Sequence, residues 1–170
     1  MSGDGGAISV IKLFEVAEPT SDAPFEFDAL LEQFRKQRNI DWTAPEAFLC
    51  LVLSAANADG HISPEELAEI EALSRRSRAL KQLDGSQLAA ANATVSQRLK
   101  TRPEGLREAC ECLPQDMRLP VFAHCVDIVL ADGILLPIEM EFLNRIMGFL
   151  GVDPGESKRV LEVLLIKNRF

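Results

Sequence analysis

The chain has 170 residues, 47% of them apolar and 26% charged, and its 26 Asp and Glu against 18 Lys and Arg leave a formal charge of −8. That size and balance describe one ordinary globular domain able to bury a core. The negative field excludes phosphate backbones and anionic lipid as natural partners and favours cations and basic protein surfaces, while 9 Phe, 1 Trp and no Tyr offer no set of base-stacking aromatics.

Residues 1–24 read as a flexible tail, opened by Gly and Asp and closed by the run from Glu18 to Pro24. Inside it, residues 8–16 are apolar enough to dock as a strand or as a helical turn. The folded domain is expected over residues 25–170. Phe27, Leu30, Leu31 and Phe34 recur at helical spacing, followed by Arg35, Lys36 and Arg38, the charge order a helix dipole favours. Residues 39–42 form a connector. Thr43-Ala44-Pro45-Glu46 is a capping box with proline in the first turn. It opens a helix to about Ala58 whose Phe48, Leu49, Leu51, Val52, Leu53, Ala55 and Ala56 leave almost no polar face. Such a helix belongs at the centre of a bundle.

Gly60 supplies a left-handed position after that helix, and Ser63-Pro64-Glu65-Glu66 is a second capping box opening a helix to roughly Leu80. Asp84-Gly85-Ser86 breaks the chain before an Ala-rich helix from Leu88 to Leu99. Arg102-Pro103-Glu104 opens another, ending near Leu113. Pro114 begins an apolar segment reaching Ala131, in which Pro120 either kinks the helix or marks its true start. Pro137 to Leu150 is helical, with Phe142, Leu143, Ile146, Met147 and Leu150 on one face, and Gly151 ends it. Asp153-Pro154-Gly155-Glu156 is one more capping box before a last helix through Val160, Leu161, Val163, Leu164 and Leu165. No segment alternates with period two, so the fold class is all-α, a single-domain bundle of about seven helices.

One stretch is written twice. Ala58-Asp59-Gly60-His61-Ile62-Ser63-Pro64-Glu65-Glu66 returns as Ala131-Asp132-Gly133-Ile134-Leu135-Leu136-Pro137-Ile138-Glu139, every position displaced by the same 73 residues. The bundle is therefore expected to hold two related helix-turn-helix halves, about residues 44–80 and 117–152, each with an acidic turn.

Two accounts of these turns stand side by side. In the structural one, Asp59 closes an Asx turn and Ser63 with Glu66 caps a helix. This covers the second copy less well, because Leu136 stands where a capping hydroxyl should, and Asp132 sits at the negative pole of an apolar helix. In the other account the carboxylates hold a divalent cation. Counted as an EF-hand loop, Asp59 and Glu66 fall at ligand positions five and twelve, but Ala55 and Ile128 occupy position one and cannot coordinate. Neither turn is an EF-hand alone. Pooled about a pseudo-twofold axis, Asp59, Glu66, Asp132 and Glu139 would form an all-oxygen set for Ca²⁺, Mg²⁺ or Mn²⁺.

His124 and Asp127, three apart on one face of the second apolar helix, are expected to form a buried hydrogen-bonded pair. Alternatively, Asp127 joins the carboxylates, with His124 as ligand or orienter. Cys50, Cys110, Cys112 and Cys125 make no zinc-type pairing: Cys110 and Cys112 diverge by about 200° on a helix. All four read as small buried or half-buried hydrophobes. Residues 1–6 lack the basic start of a secretory leader and no apolar run approaches the ~20 residues of a bilayer span, so a cytoplasmic protein with reduced thiols is expected. No nucleophile elbow, phosphate loop or zinc protease motif is present, and catalysis is not expected.

At these residues the chain resembles the TerB-like family, named after bacterial tellurite resistance. The resemblance rests on Ala58-Asp59-Gly60-x-Ile62-x-x-x-Glu66 and on Asp127-x-x-x-Ala131-Asp132-Gly133-x-x-x-x-x-Glu139. Leu143 and the Leu150-Gly151-Val152 helix end also fit, so that it spans about residues 44–165. It implies an all-helical fold of two related halves, an acidic cluster and a divalent-cation site drawn from Asp59, Glu66, Asp127, Asp132 and Glu139. It further implies a non-enzymatic role in tellurite and stress responses, with a protein partner near the inner membrane face. Leu136 departs from the family's polar residue after the second turn. The competing expectations are a purely structural domain whose turns only cap helices and, third, a metal-dependent enzyme.

Overall fold

Apolar helices need partners on every side, and the architecture follows from where the two most apolar ones lie. The computed structural model describes residues 42–169; the expected tail and the helix around Phe27–Phe34 lie outside them. Among the described residues there are seven helices and no strand: α1 (Ala44–Ala56), α2 (Pro64–Arg76), α3 (Gly85–Thr101), α4 (Gly105–Cys112), α5 (Gln115–Val129), α6 (Pro137–Leu150) and α7 (Pro154–Lys167). The all-α expectation is met. None of these helices is long and apolar enough to cross a membrane.

Helix α1 packs against α2, α3, α4, α5 and α6, and α5 packs against α1, α2, α6 and α7. The α1–α5 contact is the spine of the core. Ala47, Phe48, Cys50, Leu51, Val52, Ala55 and Ala56 of α1 are buried, as are Val121, Phe122, Cys125, Val126, Ile128 and Val129 of α5. At about 25 cal/mol per Å² of apolar surface removed from water, each such Leu, Ile or Phe is worth roughly 1.5–3 kcal/mol against exposure.

The thiols behave as core atoms. Cys50, Cys110 and Cys125 are fully buried and no cysteine is disulfide-bonded. Burial pushes the Cys50 and Cys110 thiols up to about 12 and Cys125 well above its ordinary value, so they stay protonated and unreactive. Cys112 points elsewhere, its Sγ donating to the Trp42 carbonyl at 2.9 Å.

Several helix boundaries differ from the sequence reading. Helix α2 stops at Arg76 rather than Leu80: Ser77 N–H still makes the last helical bond to the Leu73 carbonyl, but the Ser77 backbone turns extended and carries the chain out of the helix. Pro120 does not mark the start of α5, which begins at Gln115 and carries the proline inside it. The ring costs the Asp116 carbonyl its donor, at little penalty because both residues are exposed to solvent. Asp84 and Gln87 form a reciprocal box (2.8 and 2.9 Å) where the sequence suggested only a break. At α7 the Asp153 side chain accepts from the Glu156 N–H at 3.0 Å, yet the reciprocal half is not made. The connector residue Trp42 belongs to the core: its indole N–H donates to Glu108 at 3.3 Å, and the Arg98 guanidinium, paired with Glu46 at 3.0 Å, lies 4.8 Å from its ring centre.

Arg118 locks the helix ends. Its guanidinium donates to the carbonyls of Leu113 (3.1 Å), Leu150 (3.0 Å) and Glu111 (3.4 Å), tying the end of α4 and the end of α6 to the start of α5. Arg118→Ala should lower the unfolding free energy by about 2–3 kcal/mol, read as a lower urea midpoint at unchanged m-value. Arg118→Lys should recover only part of this, since one ammonium cannot serve three divergent acceptors.

Candidate functional site

The repeated stretch folds the same way twice. After α1 the Ala58 N–H returns to Ala55 O (3.2 Å) and Gly60 N–H to Asn57 O (3.1 Å); after α5 Ala131 returns to Ile128 (3.0 Å) and Gly133 to Leu130 (3.0 Å). Gly60 and Gly133 hold φ of +86° and +79°, the left-handed region that a side chain would strain. Asp59 Oδ1 then accepts the His61 N–H at 2.8 Å, and Asp132 Oδ1 accepts the Ile134 N–H at 2.9 Å. These are Asx turns.

Each following helix is pinned by its third residue. Glu66 Oε2 accepts the Ser63 N–H and Glu139 Oε2 accepts the Leu136 N–H, both at 2.7 Å. The first copy adds the return bond, Glu66 N–H to Ser63 Oγ at 3.1 Å. Leu136 has no oxygen to give, so the second copy has half a box.

The two turns lie within electrostatic reach of one another. Glu139 is only 4% exposed and Glu66 only 6%. The proton affinity of Glu139 is raised, first by burial and then by the charges of Asp132, Glu66 and Asp59, against the lowering effect of the Leu136 N–H. Among the described residues, no Lys, Arg or His pairs with any of these four carboxylates. One oxygen of each is used by the turn or cap, and the other has no hydrogen bond from the described residues. As donors for a metal they are uniformly hard, which suits Ca²⁺, Mg²⁺ or Mn²⁺. As placed, no three carboxylate, imidazole or thiol side chains of the described residues stand close enough to share an ion. The donor chemistry fits a hard cation; the free oxygens would have to turn towards each other to hold one.

Asp127 is placed elsewhere, which corrects both expectations for it. Its carboxylate accepts from Lys167 Nζ (2.7 Å to Oδ1) and from the Asn168 amide (2.9 Å), so it is neutralised by the end of α7. It makes no hydrogen bond to His124. That imidazole instead meets the Phe48 ring edge-on at 5.6 Å and borders a groove of about 610 Å³ with Leu73, Val121 and Asp127. Burial lowers its proton affinity, opposed by Asp127 and Glu69 and assisted by Arg76 and Lys167.

The model of the family described as tellurite resistance protein TerB matches residues 45–162, a span holding both turns and the α1–α5 spine. The chain belongs to the TerB family. No curated protein and no solved structure matches it. The TerB span thus places α1, with its capping box, at one end and most of α7 at the other.

Sequence reasoning singled out the four TerB-turn carboxylates and noticed Leu136, but missed what surrounds them. Ile62, Leu67, Ile134 and Ile138 are exposed beside the turns. The available signal was an aliphatic residue at cap and first-turn positions, where water-facing side chains are usual.

Two predictions follow from these contacts. Leu136→Ser restores the missing hydroxyl at the α6 cap and should stabilise the protein by roughly 0.5–1 kcal/mol in urea unfolding. The folded pKa of His124 lies below its unfolded value, so the unfolded state binds more protons between the two. Stability should therefore fall as pH drops below the ordinary histidine range, and His124→Gln should flatten that slope in a melting series against pH.

Proposed function

We propose that the protein is a non-enzymatic TerB module of the tellurite and stress response, working in the cytoplasm. Its two turns act together as one divalent-cation site, and its output is a protein partner docked at the same face. The observation that carries this reading is the buried Glu139 carboxylate. It is held beside Asp132, Glu66 and Asp59, with its proton affinity raised and no cation of the described chain to balance the four. A buried carboxylate whose ionised form is opposed by three neighbouring acids gains from any positive charge that arrives. Asp59, Glu66, Asp132 and Glu139 would hold the cation, which would supply charge neutralisation and a link between the turn after α1 and the turn after α5.

The structural reading has its own support, since every one of these carboxylates already closes a turn or a cap. The two are separated by a melting scan of EDTA-stripped protein with Ca²⁺, Mg²⁺ or Mn²⁺ added singly. A bound hard cation at about 100 times its dissociation constant should stabilise by about 2.7 kcal/mol, a rise of roughly 5–10 °C for a domain of this size. Asp132→Asn with Glu139→Gln keeps an acceptor oxygen at each bond and removes two charges. This variant should melt no lower than wild type without metal and should lose the cation response. If no cation up to millimolar moves the wild type, the carboxylates only cap.

A further inference from the structure

The two turns share a backbone and four carboxylates but not a rim. Displaced by the common offset, exposed His61 corresponds to Ile134, the cap Ser63 to Leu136 and exposed Glu65 to Ile138. Three polar positions in the first copy are aliphatic in the second, and all three aliphatics face water: Ile134 is 58%, Leu136 37% and Ile138 51% exposed. Ile62 and Leu67 are exposed beside the first turn. These five, of the eight large hydrophobics left exposed among the described residues, stand at the turns, and the other three lie on α7.

None of them belongs to the hydrophobic core. Leu136 forfeits a capping bond without entering the core, and Ile134 and Ile138 leave more than half of their surface to water. Exposed aliphatics standing at two acidic turns that lie within electrostatic reach of one another mark an interaction surface. Charge decides the occupant. Anionic membrane is repelled by the four carboxylates and the net −8. A second copy docked by the same patch would set acid against acid. A basic segment with one aliphatic face satisfies both halves of the surface.

We propose that the turns dock a basic amphipathic segment of a partner protein, its apolar face on Ile134, Leu136, Ile138, Ile62 and Leu67 and its Lys or Arg side chains at the exposed Asp59 and Asp132, with the buried Glu66 and Glu139 adding to the negative field behind them. This deepens the docking half of the proposed function and rests on it. Because ammonium or guanidinium groups and a divalent cation seek the same oxygens, the two compete, and raising the cation concentration releases the segment.

The test is fluorescence anisotropy of a labelled Lys/Leu peptide of about five helical turns against full-length protein in EDTA. A scrambled peptide of equal composition, with no apolar face, is the control. The amphipathic peptide should bind about ten-fold or more tightly than the scrambled one. Ile134→Ser with Ile138→Ser, both exposed and so harmless to folding, should remove most of that preference. Equal binding of the two peptides, an unchanged preference in the double serine variant, or rim-dependent self-association in sedimentation would overturn the proposal. The melting scan is run on the same variant, which keeps every carboxylate. A cation response without a peptide preference sinks docking alone, and a peptide preference without a cation response sinks only the cation site.

Discussion

The burial of α1 against α5 is the constraint from which the rest of the TerB fold follows. Both helices are apolar around most of their circumference, so each must be covered by other helices, and α2, α3, α4, α6 and α7 supply that cover. A central helix must still return its chain to the surface, and its last carbonyls need partners. The Ala-Asp-Gly turn solves both problems at once. The left-handed glycine reverses the chain, the aspartate accepts the next free N–H, and the glutamate pins the start of the following helix. Since α1 and α5 are packed together, their exit turns come within electrostatic reach, and the acids that serve each turn separately become one group.

That juxtaposition has an electrostatic consequence neither turn has alone. A glutamate at the third helical position is favourable: it meets a free N–H and the positive end of the helix dipole. Glu139 enjoys that, yet burial and three neighbouring acids raise its proton affinity above the ordinary range. The hydrogen bond each carboxylate makes is favourable, while the other three charges work against the ionised form of Glu139. A positive charge arriving there would be drawn by charge that helix packing has brought within electrostatic reach, although the free oxygens must still turn towards each other to share it.

Most of the architecture was legible because it rests on local chemistry. Capping boxes at Thr43 and Ser63, the glycines after the two central helices and the all-round apolarity of residues 47–56 are written in short windows, and the structure uses each of them. What was not legible depends on distant residues. Asp127 reads as a companion of His124 or of the turns, and only the return of α7 brings Lys167 and Asn168 to it from 40 and 41 residues away. Trp42 reads as linker because its partners Glu108 and Arg98 lie on α4 and α3. The proximity of the two turns was a matter of symmetry in the sequence and a matter of helix packing in the structure.

The differences between the two copies are more informative than their identities. The glycine, the aspartate and the glutamate recur because the turn cannot be built without them, and their recurrence alone is accounted for by folding. The replacement of His61, Ser63 and Glu65 by Ile134, Leu136 and Ile138 has no such account. The backbone hydrogen bonds at the two turns agree to within a few tenths of an ångström, so the aliphatics are not needed to shape the second turn, and none of them enters the core. A residue that breaks a capping rule, stays exposed and lies beside charges the chain leaves unpaired is better explained by a surface that meets something than by the fold it sits on. In the proposed docking mode the carboxylates would serve both folding and binding, whereas the rim of the second turn would serve binding alone.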